Sequence, residues 1–587
     1  MTAYPFLKDN IETLKTCIPP FYAWLSSQDI DEEKLKVSLF KNHWGILDWK
    51  MEDGKGLFEA IMPNAVYKQW NAGEKPHTSA TFIVGCNIGY GLNHILVNSP
   101  DTHKIVVVEP NPEILIACLG QSNFVEFIKI GKLHFAIPDP DYLFEIVRKM
   151  DLQFIHGRIH LRSDMPSRQM GPEYAQLSVM VKNKLESFSV EMNTLRLRQD
   201  LMVGNELDNF SRTMEDGKIA PMKGSAKGLG AVILGAGPSL QTFGPELAKN
   251  PGHVLYTTAL QSMPAVYNVG LKPHFCLAID FNDSMMRVFD QLDMEWAKDI
   301  PLIYSTKVRN QVVERYPGPT IPMWTVGGLG TFAFKGNEEI FDAGGNVSVT
   351  LTRFLNWCDV SHILLVGQDY AWKGMNSHSK GHHTSGAIYD KNILAHTEDA
   401  EGNPLTSTVQ YMAAKREMED DISKFNTPVF NLYGGAAVIE GSTMVDMHKV
   451  HMEGLLSSAP GSMEHFMAAM DMARTPKERI WFEARGQKWS VSLRHAEKRL
   501  EKLFKKCTRN QQEIHKTIQQ IDFFIRQDPL YLPYLYNEVM DMAGMARAKL
   551  SYKPRDLPEL RKILKRTMQK VRKMDKCLAP SQRNQAA

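Results

Sequence analysis

The run Ala231-Val232-Ile233-Leu234-Gly235-Ala236-Gly237-Pro238-Ser239-Leu240 constrains this chain more than any other stretch of it. Its apolar start reads as a buried strand, and the glycines end that strand in a turn that opens a helix. Gly235 and Gly237 let the backbone approach a ligand closely. Pro238 suits an early helical turn, and Ser239 can cap free amides or bind an oxygen. The positive end of such a helix suits a phosphate. The same order also serves as a purely structural strand-to-helix turn.

The flanking sequence repeats the alternation of strand and helix. Strands are expected at Ala231–Leu234, His253–Thr257, Phe275–Ile279, Leu302–Ser305 and Ile363–Val366, with helical segments between them. This order implies a mainly parallel sheet. An earlier unit has the strand Thr81–Val84, the turn Gly85-Cys86-Asn87-Ile88-Gly89-Tyr90-Gly91, and the strand Lys104–Val108 ending at Glu109. Strand, glycine turn, helix, strand, acid is a Rossmann-like order. Leu177 to Met214 reads as helix, and Asp216-Gly217 breaks it. Beyond about Leu455 apolar residues recur at helical steps, as in Leu493, Ala496, Leu500 and Leu503, and again in Ile514, Ile518, Ile521 and Ile525. The expectation is α/β: two Rossmann-like units with mainly parallel sheets, then an α-helical C-terminal domain. The three domains are 1–215, 216–455 and 456–587.

A chain of 587 residues is too long for one compact core. Its formal net charge of +2 provides no global field for nucleic acid or a membrane surface. The seven scattered cysteines form no CxxC pair and read as free thiols of a reducing compartment. The N-terminus has no basic stretch followed by an apolar run, and no apolar segment nears the roughly 20 residues of a spanning helix. A cytoplasmic protein is expected.

Three further features bear chemistry. Asp280 ends the strand Phe275–Ile279, where a carboxylate can take ribose or base hydrogen bonds, or be a solvated loop acid. Gly344-Gly345-Asn346-Val347-Ser348 leads into a helix and offers amides and hydroxyls to a nucleotide. The strand Ile363–Val366 delivers Gln368, Asp369 and Tyr370 at its carboxyl end, and His378, His382, His383, Thr384 and Ser385 follow in a polar loop. Clustered histidines in such a loop are candidates for catalysis or metal binding.

These motifs, with Tyr433-Gly434-Gly435-Ala436-Ala437-Val438-Ile439-Glu440-Gly441, resemble the motility accessory factor family of bacterial flagellin glycosyltransferases. The central domain is similar to bacterial sialyltransferases. The resemblance implies transfer of a nonulosonic acid, of the pseudaminic or legionaminic type, from its CMP form to Ser or Thr hydroxyls of flagellin. It implies that Gly235, Gly237, Pro238 and Ser239 face the ribose and phosphate of CMP, and that Gly345, Asn346 and Ser348 line the cytidine pocket. Gln368, Asp369 and Tyr370 would sit near phosphate and sugar. Asp280 falls where sialyltransferases place a nucleotide-binding amide, and Tyr370 where the family carries Leu.

Cleavage of the sugar–phosphate bond passes through an oxocarbenium-like state, with charge growing on the leaving phosphate. His378 is expected as general base, with His382 the runner-up and Asp369 next. No DxD ends a strand of this domain, so no metal is expected as obligatory; a divalent ion at Asp280 or Asp369 is left open. Expected partners are flagellin and the nucleotide-sugar donor, with no nucleic acid and no membrane. From Lys553 to Lys576 ten basic residues stand against three acidic ones. That run is either a solvated helix face or a docking surface for flagellin. Three alternatives remain: an adenosylmethionine-dependent methyltransferase built on Gly85–Glu109, a pterin pyrophosphokinase-like enzyme, and a non-enzymatic flagellin-binding protein.

Overall fold

The computed structural model describes residues 4–334, 336, 338–374, 376–384, 393–549 and 551–580. The chain folds into two compact units, each assembled from distant segments. One comprises Met1–Leu197, Ala496–Phe524 and Glu538–Ile563; the other comprises Arg198–His495, Ile525–Asn537 and Leu564–Ala587. This differs from three consecutive domains. The C-terminal helices Gly486–Phe504, Gln511–Ile525, Leu532–Ala543 and Asp556–Leu578 form as their periodicity dictates. Their residues, however, are divided between the two units. The helix Glu173–Glu215 contains the point where the first unit gives way to the second.

The first unit opens with helices and the antiparallel pair β1 (Leu39–Lys41) and β2 (Leu47–Trp49). Its sheet has β3 (Ala80–Val84), β4 (Lys104–Val108), β5 (Leu133–Ala136) and β6 (Ile159–Ser163), in the order β5-β4-β3-β6, all parallel. All five residues of β3 are buried, as a strand covered on both faces requires.

The second unit carries a nine-stranded sheet. Its strands are β7 (Gly230–Leu234), β8 (Leu255–Ala259), β9 (Phe275–Ala278), β10 (Leu302–Ser305), β11 (Thr320–Thr325), β12 (Ile340–Phe341), β13 (His362–Val366), β16 (Val429–Leu432) and β17 (Thr443–Val445). A separate antiparallel hairpin joins β14 (Leu394–Glu398) to β15 (Pro404–Thr408). The order of the large sheet is β12-β11-β10-β9-β8-β7-β13-β16-β17, and the pairings are parallel. Side chains alternate between its faces. Ala231, Ile233, Ile363 and Leu365 join Leu351 and Phe354 in one layer; Val232, Leu234, Leu364 and Val366 join Leu240 and Leu247 in the other. The chain enters the sheet at β7, proceeds outward through β12, and returns to pair β13 against the other side of β7. Strand order therefore reverses between β7 and β13, the place where open α/β sheets bind ligands.

Candidate functional site

The reversal point holds a cavity of about 210 Å³. The turn after β7 forms one wall and the turn after β13 another. They are stitched together: the Gly235 amide donates to the Val366 carbonyl (2.7 Å), and the Gly237 amide to the Gly367 carbonyl (2.9 Å). A Cβ on Gly235 would strike the Gly367 carbonyl and the Gln368 amide, and one on Gly237 would strike Asp369. The close approach these glycines permit is thus, in the first place, to the neighbouring turn of the same chain. Tyr370 adopts a left-handed backbone (φ 51°), rare for a bulky residue. Ser407 donates to its carbonyl (2.6 Å).

Asp369 is buried and accepts from the Ser239 amide (2.8 Å) and hydroxyl (2.5 Å). It therefore occupies the start of the helix Ser239–Lys249, where a phosphate was expected. Burial pushes its carboxyl up, while the Ser239 hydrogen bonds act the other way. Ser239 spends both donors on this carboxylate, and neither it nor Pro238 lines the cavity.

Gln368 is different. Its side chain is buried and lines the cavity, yet its amide nitrogen has no hydrogen-bond partner; the same holds for the amide oxygen of Gln261, in the turn Leu260–Ser262 after β8. Buried polar atoms are rarely left unpaired, because desolvation costs about 1–3 kcal/mol per group. Both glutamines line the same cavity, so each brings an unmet hydrogen-bonding group to its border.

The histidine loop closes the other side. The Ser379 amide donates to the Ala236 carbonyl (2.7 Å) and its hydroxyl to the Gly237 carbonyl (2.5 Å), which pins the loop onto the glycine turn. The flanking His378 and His382 rings stack, with centroids 4.1 Å apart and planes 5° from parallel. His378 Nδ1 lies 2.9 Å from the Ser377 hydroxyl, and its Nε2 3.2 Å from the Tyr411 hydroxyl. His382 Nδ1 lies 2.8 Å from the Thr384 hydroxyl. Burial, then the His383 ring, holds His378 down to about 4; burial, then His378 and His383, hold His382 to about 2. Both are neutral at pH 7. Of the two, His378 is the stronger base.

The cavity thus brings together Gly235, Gly237, Asn346, Ser348, Gln368, Asp369, Tyr370, His378 and His382. Asn346 caps the helix Val347–Trp357 by accepting from the Ser348 amide. Gly345 instead donates to Glu417 (3.0 Å) and lies outside the cavity lining. Asp280 also lies outside it and accepts from the backbone and side-chain amides of Asn282, an Asx turn. Ser385 falls outside the described residues. Gln261, Ser262 and Tyr411 line the cavity unannounced by any motif.

In the first unit the glycine turn is filled by its own chain. Glu109, the acid that would hold a ribose, accepts from the Cys86 amide (2.7 Å) and the Tyr174 hydroxyl (2.5 Å), and burial raises it to about 7. Asp164 accepts from the Tyr67 and Ser167 hydroxyls, both at 2.6 Å. A Cβ on Gly85 would meet Ser167 and Tyr174. The polar groups that would hold an adenosylmethionine, Glu109 above all, are thus engaged by the chain's own side chains and backbone.

A family described as 6-hydroxymethylpterin diphosphokinase MptE-like matches residues 204–375, the part of the chain from before β7 to just past Tyr370. No curated protein matches the chain. Among solved structures, the MAf glycosyltransferase from Magnetospirillum magneticum AMB-1 is similar over 97% of this chain and 95% of its own, with a TM-score of 0.59 and 14% identity. At that identity the likeness is one of fold, and the fold is the one the sequence motifs pointed to: this chain is built like a MAf glycosyltransferase along nearly its whole length.

Proposed function

We propose that the protein is a glycosyltransferase whose cavity between β7 and β13 holds a CMP-activated nonulosonic acid, with Ser or Thr hydroxyls of flagellin as acceptors in the cytoplasm. The observation that carries this reading is the pair of unpartnered amide atoms on Gln261 and Gln368, in one cavity with the neutral His378–His382 pair. The fold shared with the MAf glycosyltransferase supports it.

In this reading Gln368 donates to the donor's phosphate or sugar as negative charge grows on the leaving group, and Gln261 accepts from the nucleotide. Ser348 and Asn346 border the base. His378 takes the proton of the acceptor hydroxyl on Nε2 as attack develops, the acceptor displacing the Tyr411 hydroxyl there while Ser377 on Nδ1 holds the ring. Asp369 acts one step back, fixing Ser239 and the glycine turn. A divalent ion at Asp369 or Asp280 would have to displace the hydrogen bonds those carboxylates already accept.

Calorimetry with CMP, CDP, UDP and ATP tests the donor. CMP is expected to bind best, and Gln368→Met to weaken it by about 1 kcal/mol, the usual worth of one hydrogen bond. The match to the diphosphokinase family favours a second reading, transfer of a pyrophosphoryl group from ATP. ATP binding as well as or better than CMP would replace the first reading with the second. Intact-mass analysis of flagellin from cells with and without the protein tests the acceptor.

A further inference from the structure

The first unit contains a second and larger cavity, of about 1170 Å³, at a distance in sequence from its filled glycine turn. Residues 101–106, 130–134 and 146–153 form one side, and the helical segment 511–519 with Ala546, Arg547, Lys549 and Tyr552 the other. All belong to the same compact unit. Apolar side chains such as Ile105, Ile146 and Met150 contribute to the lining, while six Lys or Arg residues face the cavity against two Asp.

Some of those cations are neutralised. Lys132, almost fully buried, donates to the Leu96 and Ser99 carbonyls (2.7 Å each) and lies 3.6 Å from Asp101. Lys549 pairs with Asp556 at 2.5 Å. Lys104 donates to the Gly131 carbonyl, a neutral acceptor, and Arg547 has Asp522 only at 3.9 Å. Burial, then Arg547, pushes the Lys104 ammonium down; burial, then Lys149 and Lys104, pushes His134 to about 4. Lys104 and Arg547 are thus close enough to repel, Lys104 and Lys149 both bear on His134, and all four residues border one cavity. Such an arrangement is relieved by a polyvalent anion, and an Arg fork with ammonium groups suits phosphate oxygens. A concave, partly apolar cavity with a few convergent charges is the form of a small-molecule site.

We infer that the cavity bordered by Lys104, Lys149 and Arg547 is a binding site for a small phosphate-bearing organic anion, separate from the glycosyl-transfer site. The test is calorimetry on the full-length protein at 150 mM salt with pyrophosphate, ATP, citrate and a glutamate oligopeptide as probes. Pyrophosphate or ATP is expected to bind one-to-one with a dissociation constant below about 1 mM. Lys149→Glu and Arg547→Glu are each expected to weaken that binding at least ~10-fold. Gln368→Met, in the other cavity, is expected to leave it unchanged, which separates this inference from the donor-site reading. Hydrogen exchange on the unaltered protein gives a readout that does not depend on variants folding: pyrophosphate should protect 101–106 and 511–519. The inference is overturned if neither phosphate probe binds, if no protection appears there, or if folded variants bind normally. Citrate binding equally well removes the phosphate assignment, and binding of the oligopeptide alone makes the cavity a peptide groove.

Discussion

His378 and His382 show how a single pair of side chains can tie chemistry to pH. Their depressed values mean that the unfolded chain binds more protons than the folded one from about pH 6.5 down to about 4 for His378 and about 2 for His382. Stability from the neutral rings is complete above that window and is lost as pH falls through it. In turnover, a base at about 4 places the acid limb of kcat/KM near pH 4, and a bound anionic donor moves the limb of kcat upward. His378→Asn should lower the transfer rate by about 10²–10⁴-fold with CMP affinity nearly unchanged. A pH–rate profile of the unaltered protein beside this variant checks both statements. A limb near 6.5, or near-full turnover by His378→Asn alongside a loss in His382→Asn, would reassign the base. The histidines were legible because polar loops after a sheet strand draw the eye to titratable groups. Gln261 was not: it follows β8 in a helical turn without glycine, and only the folded structure shows its unpaired oxygen. Tyr411 lies too far along the chain from His378 for spacing to connect them.

At the scale of the element, the strand–turn–helix after β7 formed as read, but its helix start serves the fold. The Asp369 carboxylate takes the Ser239 amide and hydroxyl that a ligand phosphate was expected to reach. Ser239→Ala should therefore cost stability, about 1.5–3 kcal/mol from one charge-assisted hydrogen bond, while CMP affinity changes little. Chemical denaturation and calorimetry on the same variant separate the two. A larger loss of affinity than of stability would return Ser239 to the ligand. The strands that could be read, such as β3, β4, β7 and β13, are short apolar runs rich in β-branched residues. β11 is hidden in the sequence because Thr320-Ile321-Pro322-Met323-Trp324-Thr325 carries a proline, which argues against an interior strand, and yet Pro322 sits in register with Tyr304. Asp280, whose place at a strand end suits either a ligand carboxylate or a solvated loop acid, is satisfied locally by the asparagine two residues on.

For the whole molecule, periodicity announced the C-terminal helices but not their allegiance, because which distant surface an apolar face will cover is a tertiary matter. Leu560, Leu564, Val571 and Met574 are buried along the helix Asp556–Leu578, while Lys562, Lys565 and Lys576 are exposed. Truncation after Ser457 should thus remove part of the core of both units and abolish cooperative unfolding, checked by calorimetric melting; a stable, cooperative fragment would restore the separate helical domain. Docking of flagellin is better examined by reversing Lys562, Lys565 and Lys576, which leaves the buried face intact. The return of the chain to β7 has a further consequence, for synthesis. β13 emerges from the ribosome about 130 residues after β7, roughly 7–26 s at ordinary elongation rates. For that interval one flank of β7 has no partner in the nascent chain, and its row of unpaired amides and carbonyls is open to any extended peptide nearby. The crevice between β7 and β13 is the last join made in the sheet's centre, and a polypeptide stalled before β13 would be a hazard to its neighbours on the same messenger.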